Sequence, residues 1–317
     1  MRLLFRITAI VVALIVVAAV VTVAVRHDRS SVALPAPKKA NVTLRTNPQS
    51  WLGLYTPKSP HSYAGVDRFT SQAGVRPNLD MYYSGWREPF QASFATTVSR
   101  HGGVPLVQLD PTDVSLTAIA SGQYDGYLGQ FATAVRSYTN PVVIGFGHEM
   151  NGTWYSWASG HSSPAAFVAA WRHIVTLFRT YGADNVTWLW TINIVQTAQG
   201  ISAPGPWWPG SSYVTWVGID GYYAQPSMTF SSLFGPTIVA VRALTNDPIL
   251  VAETAAGTTA GQTAKITDLY AGIRSYGLLG FVWFNSTNNI GQAFGLSSPA
   301  AITAFRKGAS TYGRPGS

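Results

Sequence analysis

Eight short apolar runs recur between residues 51 and 284, and no other feature restricts the fold of this chain more. In the first half they are Trp51–Tyr55, Leu79–Tyr83, Val104–Leu109 and Val142–Phe146. In the second half they are Val186–Ile192, Val217–Ile219, Ile249–Ala252 and Phe281–Phe284. Runs this short cannot be helices, and their β-branched and aromatic content suits strands buried on both faces. Longer segments of helical period separate them. The clearest opens at Ser163-Pro164, an N-cap followed by a first-turn proline, carries Phe167, Trp171, Ile174, Val175 and Phe178 on one face, and stops at Gly182. Others run through Tyr127, Leu128, Phe131 and Val135, and through Ile266, Leu269, Tyr270 and Ile273. An eightfold strand and helix alternation over about 270 residues predicts an α/β fold of the (β/α)8 TIM-barrel type. A doubly wound open sheet is the alternative, but no Gly-x-Gly-x-x-Gly follows an early strand to favour it.

Composition narrows the function. With 47% hydrophobic and 11% charged residues, the chain can bury one large core. Its net charge of +8 misleads, because seven of the 21 Lys and Arg lie in residues 1–45 opposite Asp28 alone. The remainder holds 14 basic and 12 acidic residues, which gives no reason to expect nucleic acid as a partner. Cysteine is absent, which excludes disulfides, zinc-thiolate sites and thiol nucleophiles.

The N-terminus reads as a separate piece. Ile7–Val25 is 19 residues without a charge, preceded by Arg2 and Arg6, and is long enough to span a bilayer. Residues 1–26 are therefore expected to be a signal anchor, with a cleaved signal peptide as the alternative. Residues 27–47, with Pro35 and Pro37, are expected to be a linker, and residues 48–317 the catalytic domain. The domain is then extracytoplasmic, either membrane-anchored or secreted.

The glutamates point to the chemistry. There are three, Glu88, Glu149 and Glu253. Two of them follow runs too apolar to welcome a charge, and such positions are usually functional or tightly paired. Glu149 comes three residues after Val142–Phe146, within His148-Glu149-Met150-Asn151-Gly152-Thr153-Trp154-Tyr155-Ser156-Trp157, where an imidazole, an amide and aromatic rings keep it company. Glu253 ends Pro248–Ala252. A closed barrel brings the ends of its fourth and seventh strands to one mouth, where barrel enzymes keep their catalytic residues. Two carboxylates there suit glycoside hydrolysis, in which one protonates the leaving oxygen and the other attacks the sugar. The proton donor must keep its proton while its partner is ionised, a separation that a nearby negative charge favours. The bland reading of either glutamate is a salt-bridged or capping acid.

The segment Gly147–Trp157 resembles the signature of glycoside hydrolase family 26, whose members include β-mannanases and mixed-linkage β-glucanases. Ala252-Glu253 resembles the family's nucleophile strand, Tyr213–Tyr222 is similar to the segment that supplies a tyrosine beside the nucleophile, and Val282-Trp283-Phe284 is similar to the strand that carries a tryptophan under the sugar. The resemblance covers residues 50–310. It implies Glu149 as general acid/base, Glu253 as nucleophile and Tyr222 as a hydrogen-bond donor to the nucleophile. It also implies that His148, Asn151, Trp154, Asp220 and Trp283 bind substrate. The implied activity is that of a retaining endo-β-glycosidase without cofactor, acting on β-1,4-mannan, with mixed-linkage or β-1,4-glucan as alternatives. One departure stands out: many relatives carry an arginine three residues before the histidine, where this chain has Gly145.

Other readings fare worse. A zinc site of the metalloprotease type needs a second histidine at position 152, which is glycine. No Gly-x-Ser-x-Gly elbow supports a serine triad. His61 and His101 are candidates for the cleft rim, and His173 is expected to be a satisfied helix residue. Trp207-Trp208, in a Pro/Gly-rich loop, can stack on distal sugars or pack on the barrel. Trp86, Arg87 and Glu88 can line the mouth or form an ordinary surface pair. A non-catalytic glycan-binding envelope protein is the rival of another class, and loss of either acid is its signature.

Overall fold

The computed structural model describes residues 44–310 and Tyr312, apart from 197–199, 258–260 and 288–290. The expected anchor and all of the expected linker except residues 44–47 lie outside the described residues. Among the described residues no helix is long and apolar enough to cross a membrane.

Eight strands close into a parallel barrel in sequence order. They are β1 (Trp51–Tyr55), β2 (Leu79–Gly85), β3 (Val104–Asp110), β4 (Val142–Phe146), β5 (Val186–Asn193), β6 (Trp216–Asp220), β7 (Ile249–Thr254) and β8 (Gly280–Phe284). The expected runs match these strands to within two residues at either end, with β6 and β8 each starting one residue earlier than read.

Alternation along each strand builds two apolar layers. Trp51, Leu79, Met81, Leu106, Leu189 and Trp216 point inward, and Trp51 and Trp216 meet inside the barrel at 5.6 Å between ring centroids. Their outward-facing neighbours pack under the helices. These are α1 (Ala64–Ala73), α2 (Ala92–Arg100), α3 (Leu116–Ala120), α4 (Asp125–Tyr138), α5 (Pro164–Thr180), α6 (Phe230–Arg242), α7 (Gln262–Ser275) and α8 (Pro299–Ala309). Local chemistry sets their starts. Ser163 Oγ accepts from the Ala166 N–H at 3.2 Å ahead of Pro164, Ser298 Oγ accepts from the Ala301 N–H at 3.1 Å ahead of Pro299, and Thr229 and Ser232 form a capping box on α6.

The alternation is broken twice among the described residues, first between β3 and β4, where two helices, α3 and α4, stand in place of one. Second, among the same residues, β5 and β6 are joined by a single 3-10 turn, Gly205–Trp207, where a helix was expected. Trp207 and Trp208 fill that gap in the outer layer. Trp207 is buried against Phe167 of α5 at 5.8 Å, and Trp208 packs on the outward-facing Trp190 at 4.9 Å. Packing on the barrel, the second of the two readings above, describes this pair.

Candidate active site

Glu149 sits on the turn that leaves β4, and this turn is backbone-strained. Gly147 and Glu149 both have positive φ, 53° and 55°. A side chain at Gly147 would press on Phe167 and Trp157 at 3.1–3.2 Å in a left-handed conformation, so glycine fits this turn without pushing either ring aside. The left-handed conformation at Glu149, costly for a side chain, is held by its N–H bonding to the Thr191 carbonyl of β5 at 2.9 Å. The carboxylate is then clamped from two sides. Trp154 Nε1 donates to Oε2 at 2.7 Å and Asn193 Nδ2 to Oε1 at 2.5 Å.

Glu253 reaches the mouth by a different device. Ala252 faces the barrel interior, so strict alternation would send Glu253 outward. The pairing slips there: Ile219 aligns with Val251, but the next residue, Asp220, aligns with Glu253, leaving Ala252 as the extra residue of a β-bulge. The same slip appears against β8. The bulge turns Glu253 inward, where the hydroxyls of Tyr83 (β2) and Tyr222 (after β6) both donate to its carboxylate, Tyr222 at 2.5 Å. Burial pushes the Glu253 carboxyl up, to about 7; His148 pulls it down, the Glu149 carboxylate adds to the rise, and both tyrosine hydroxyls oppose it.

His148 lies between the two acids electrostatically. Its Nδ1 donates to Asp110 Oδ1 at 2.8 Å, its Nε2 contacts the Tyr155 hydroxyl at 3.1 Å, and its ring lies 5.4 Å from that of Tyr83. Burial, the largest single influence, lowers its pKa; the charge and hydrogen bond of Asp110, with the charges of Glu253 and Glu149, together outweigh it, and His148 rises to about 9. It is an imidazolium at neutral pH.

The other expected site residues divide by direction. Trp154 is 46% exposed at the mouth, as a sugar platform requires. Asn151 is fully buried, its amide spent on the Asn193 and Ser202 carbonyls and the Asn193 N–H, so it supports the Asn193 that clamps Glu149 and has no face open to substrate. Asp220 is also fully buried below Glu253, and neither of its carboxyl oxygens bonds to a described protein group. Burial raises its pKa well above the ordinary aspartate value, with Glu253 and Glu149 adding to the effect.

Trp283 is a correction. It pairs with outward-facing Leu54, is 1% exposed, packs on Phe305 of α8 at 5.7 Å and donates its indole N–H to the Phe294 carbonyl. No ring in that position can lie under a sugar in the barrel mouth. The aromatic at the inner end of β8 is Phe284, stacked on Tyr55 at 4.7 Å and 5.9 Å from Tyr222.

Gly145 explains its own departure. A Cβ there would stand 1.9 Å from Gln108 Oε1, so Gln108 of β3 occupies the space a side chain would need. Of the secondary candidates, Glu88 caps the Gly85 N–H at 3.0 Å, Trp86 packs on Tyr124 and Tyr127, and His173 pairs with Asp125 at 2.6 Å. His101 follows α2 at the barrel end remote from the mouth and stacks on Tyr63. Tyr83, Asn193, Asp110 and Phe284 were not singled out beforehand. Their one signal is position, since each ends or nearly ends a strand at the catalytic face. No group of three His, Asp or Glu among the described residues is arranged to hold a metal.

Comparison with known proteins follows this geometry. Residues 113–273 match the model of Glycosyl hydrolase family 26. The chain is 29% identical over 274 residues to Endoglucanase H of Acetivibrio thermocellus, covering 81% of this chain and 30% of that protein. It is 31% identical over 109 residues to a β-1,3-xylanase of a Vibrio species, covering 34% of this chain and 22% of that protein. The chain thus spans less than a third of the length of these relatives. A mannanase structure from Bacillus subtilis superposes with a TM-score of 0.60 at 17% identity, over 81% of this chain and 85% of that one. An endo-β-1,4-mannanase double mutant from Cellulomonas fimi gives 0.62 at 17%, over 81% and 68%. These two structures share the fold.

Proposed function

The chain belongs to Glycosyl hydrolase family 26 and is a glycoside hydrolase, and on that premise we propose that it is a retaining endo-β-glycosidase of β-linked polysaccharide. The observation that carries this reading is the unlike clamping of two strand-end glutamates, Glu253 by two hydroxyls and Glu149 by an indole and an amide. Hydroxyl donors and the nearby imidazolium favour the ionised form that a nucleophile needs. In the proposed cycle Glu253 attacks the anomeric carbon while Glu149 protonates the departing oxygen, forming a glycosyl-enzyme. Glu149 then takes a proton from water, whose oxygen displaces Glu253 and restores both carboxyl groups. Tyr83 and Tyr222 orient the nucleophile, and Asn151 acts only through Asn193. Trp154 and Phe284 supply apolar faces for sugar rings.

The backbone sugar is chosen between two candidates. A β-1,4-mannan is the sequence expectation. A β-glucan, mixed-linkage or β-1,4, is favoured by the similarity to Endoglucanase H, which extends over 81% of the chain. Hydrolysis of mannan, glucomannan, lichenan and carboxymethylcellulose by wild type, Glu149→Ala and Glu253→Ala tests the reading. Wild-type turnover that either substitution abolishes supports it; wild type as inert as the variants on every β-glycan overturns it. Tethering by residues 7–25 on the extracytoplasmic side completes the proposal.

A further inference from the structure

The two ends of the barrel differ in charge. The catalytic end collects carboxylates, among them Asp110, Glu149, Asp220 and Glu253. At the opposite end, where helices finish and strands begin, the last turns of α2, α4, α5, α6, α7 and α8 all carry basic residues. The helix dipole favours a cation in a last turn. It does not explain two more at the same end in loops, Arg45 ahead of β1 and Arg76 ahead of β2.

Backbone carbonyls position four of the last-turn arginines. Arg136 donates to the Tyr181 carbonyl, Arg179 to that of Ser212, Arg242 to that of Asp247 and Arg306 to that of Ala73. Arg100, Arg274 and Lys307 are exposed and form no ion pair among the described residues. The carboxylates that solvent reaches near them are Asp67, paired with Arg76 at 3.0 Å, Asp184 and Asp247; Asp80 is buried. A broad cationic face therefore remains. The chain also enters the barrel here. Leu44 packs on the inner apolar cluster and the Arg45 carbonyl accepts from Trp51 Nε1 at 3.0 Å, so the first described residues lie at this end, and the apolar stretch Ile7–Val25 precedes them in the sequence.

We propose that the cationic end of the barrel docks on an anionic lipid bilayer, holding the catalytic mouth away from the membrane. The proposal extends the tethered reading of residues 7–25, and its test separates the two. Because the chain has no cysteine, a spin label can be placed at Ser275→Cys, exposed at the cationic end, or at Ser227→Cys, exposed on the loop after β6 at the catalytic end. The full chain is reconstituted in phosphatidylglycerol-containing bilayers with a nickel-chelating lipid. The expected result is nickel relaxation of the label at 275 and not of that at 227. The contact is lost in pure phosphatidylcholine, at about 0.5 M salt, and on combined Arg100→Ser, Arg274→Ser and Lys307→Ser substitution. Equal relaxation at the two labels, or contact at 275 indifferent to lipid charge and to the substitutions, overturns the proposal.

Alkaline carbonate extraction reports on residues 7–25 alone. An extracted chain that still floats with anionic vesicles, and does so roughly 100-fold more weakly after the triple substitution, keeps the docking face and refutes the anchor. An extracted chain that does not float, or that binds a DNA duplex as tightly as vesicles, refutes the bilayer face.

Discussion

Tyr83 donates its hydroxyl to Glu253 from across the barrel, linking the end of β2 to the bulge of β7. With Tyr222 on the other oxygen, the carboxylate is fixed at both ends. The bond strengthens the ionised form, so its removal raises the pKa of Glu253 further above the usual carboxylate range.

That relationship sets the acid limb of activity. As the proposed nucleophile, Glu253 must be ionised to attack, and burial pushes its carboxyl up to about 7, so kcat/KM is expected to fall as pH drops through that value. Tyr83→Phe shifts the limb to higher pH and lowers kcat/KM at neutral pH roughly 10- to 100-fold, the usual worth of a hydrogen bond to a charged group. A pH profile of both proteins checks this; an unmoved limb contradicts it.

The strained turn predicts an unusual stability order. Glycine adopts the left-handed conformation of Glu149 freely and alanine does not. Glu149→Gly is therefore expected to be more stable than Glu149→Ala by about 1 kcal/mol, with both expected to be inactive. Urea denaturation gives the difference, and alanine equalling or exceeding glycine refutes the strain.

Gly145 and Gln108 form a coupled pair. Gly145→Ala overpacks against Gln108 and destabilises by ~1–3 kcal/mol. In a Gln108→Ala background the same change costs much less, a coupling that a double-mutant cycle reads directly. Additive effects would mean that Gln108 is not what excludes a side chain.

The directions of the two aromatics of β8 separate stability from binding. Trp283→Phe lowers stability by ~1–3 kcal/mol and leaves KM within about twofold, because its ring lies under α8. Phe284→Ala raises KM about tenfold, corresponding to the loss of one stacking contact. The reverse pattern, measured by thermal melts and steady-state kinetics, restores Trp283 to the sugar site.

The barrel was legible because each strand run is apolar on both faces, bounded by polar turns and followed by helical period, signals that survive without knowledge of contacts. The missing helix after β5 was not legible, since Trp207 and Trp208 bury the apolar area that a helix face would bury. The strand-end placement of Glu149 and Glu253 was visible, because motif and strand end coincide there. Directions were less visible. Trp283 was misassigned because strand parity decides which way a ring faces, and the bulge that turns Glu253 inward has no residue signature at Ala252. Asn151 looked like a ligand residue because an amide beside an acid reads the same whether it binds sugar or backbone. Tyr83 lies more than 60 residues from either motif, and only barrel closure brings it to Glu253.

The division of labour between the glutamates is tested most directly by azide rescue of Glu149→Ala and Glu253→Ala on an activated aryl β-glycoside. Azide replaces whichever carboxylate is missing. Glu253→Ala should form the α-glycosyl azide, because azide attacks the substrate in place of the nucleophile. Glu149→Ala should form the β-glycosyl azide, because azide then attacks the glycosyl-enzyme. Swapped anomers, or the same anomer from both variants, would contradict the assignment of Glu253 as nucleophile and Glu149 as acid/base.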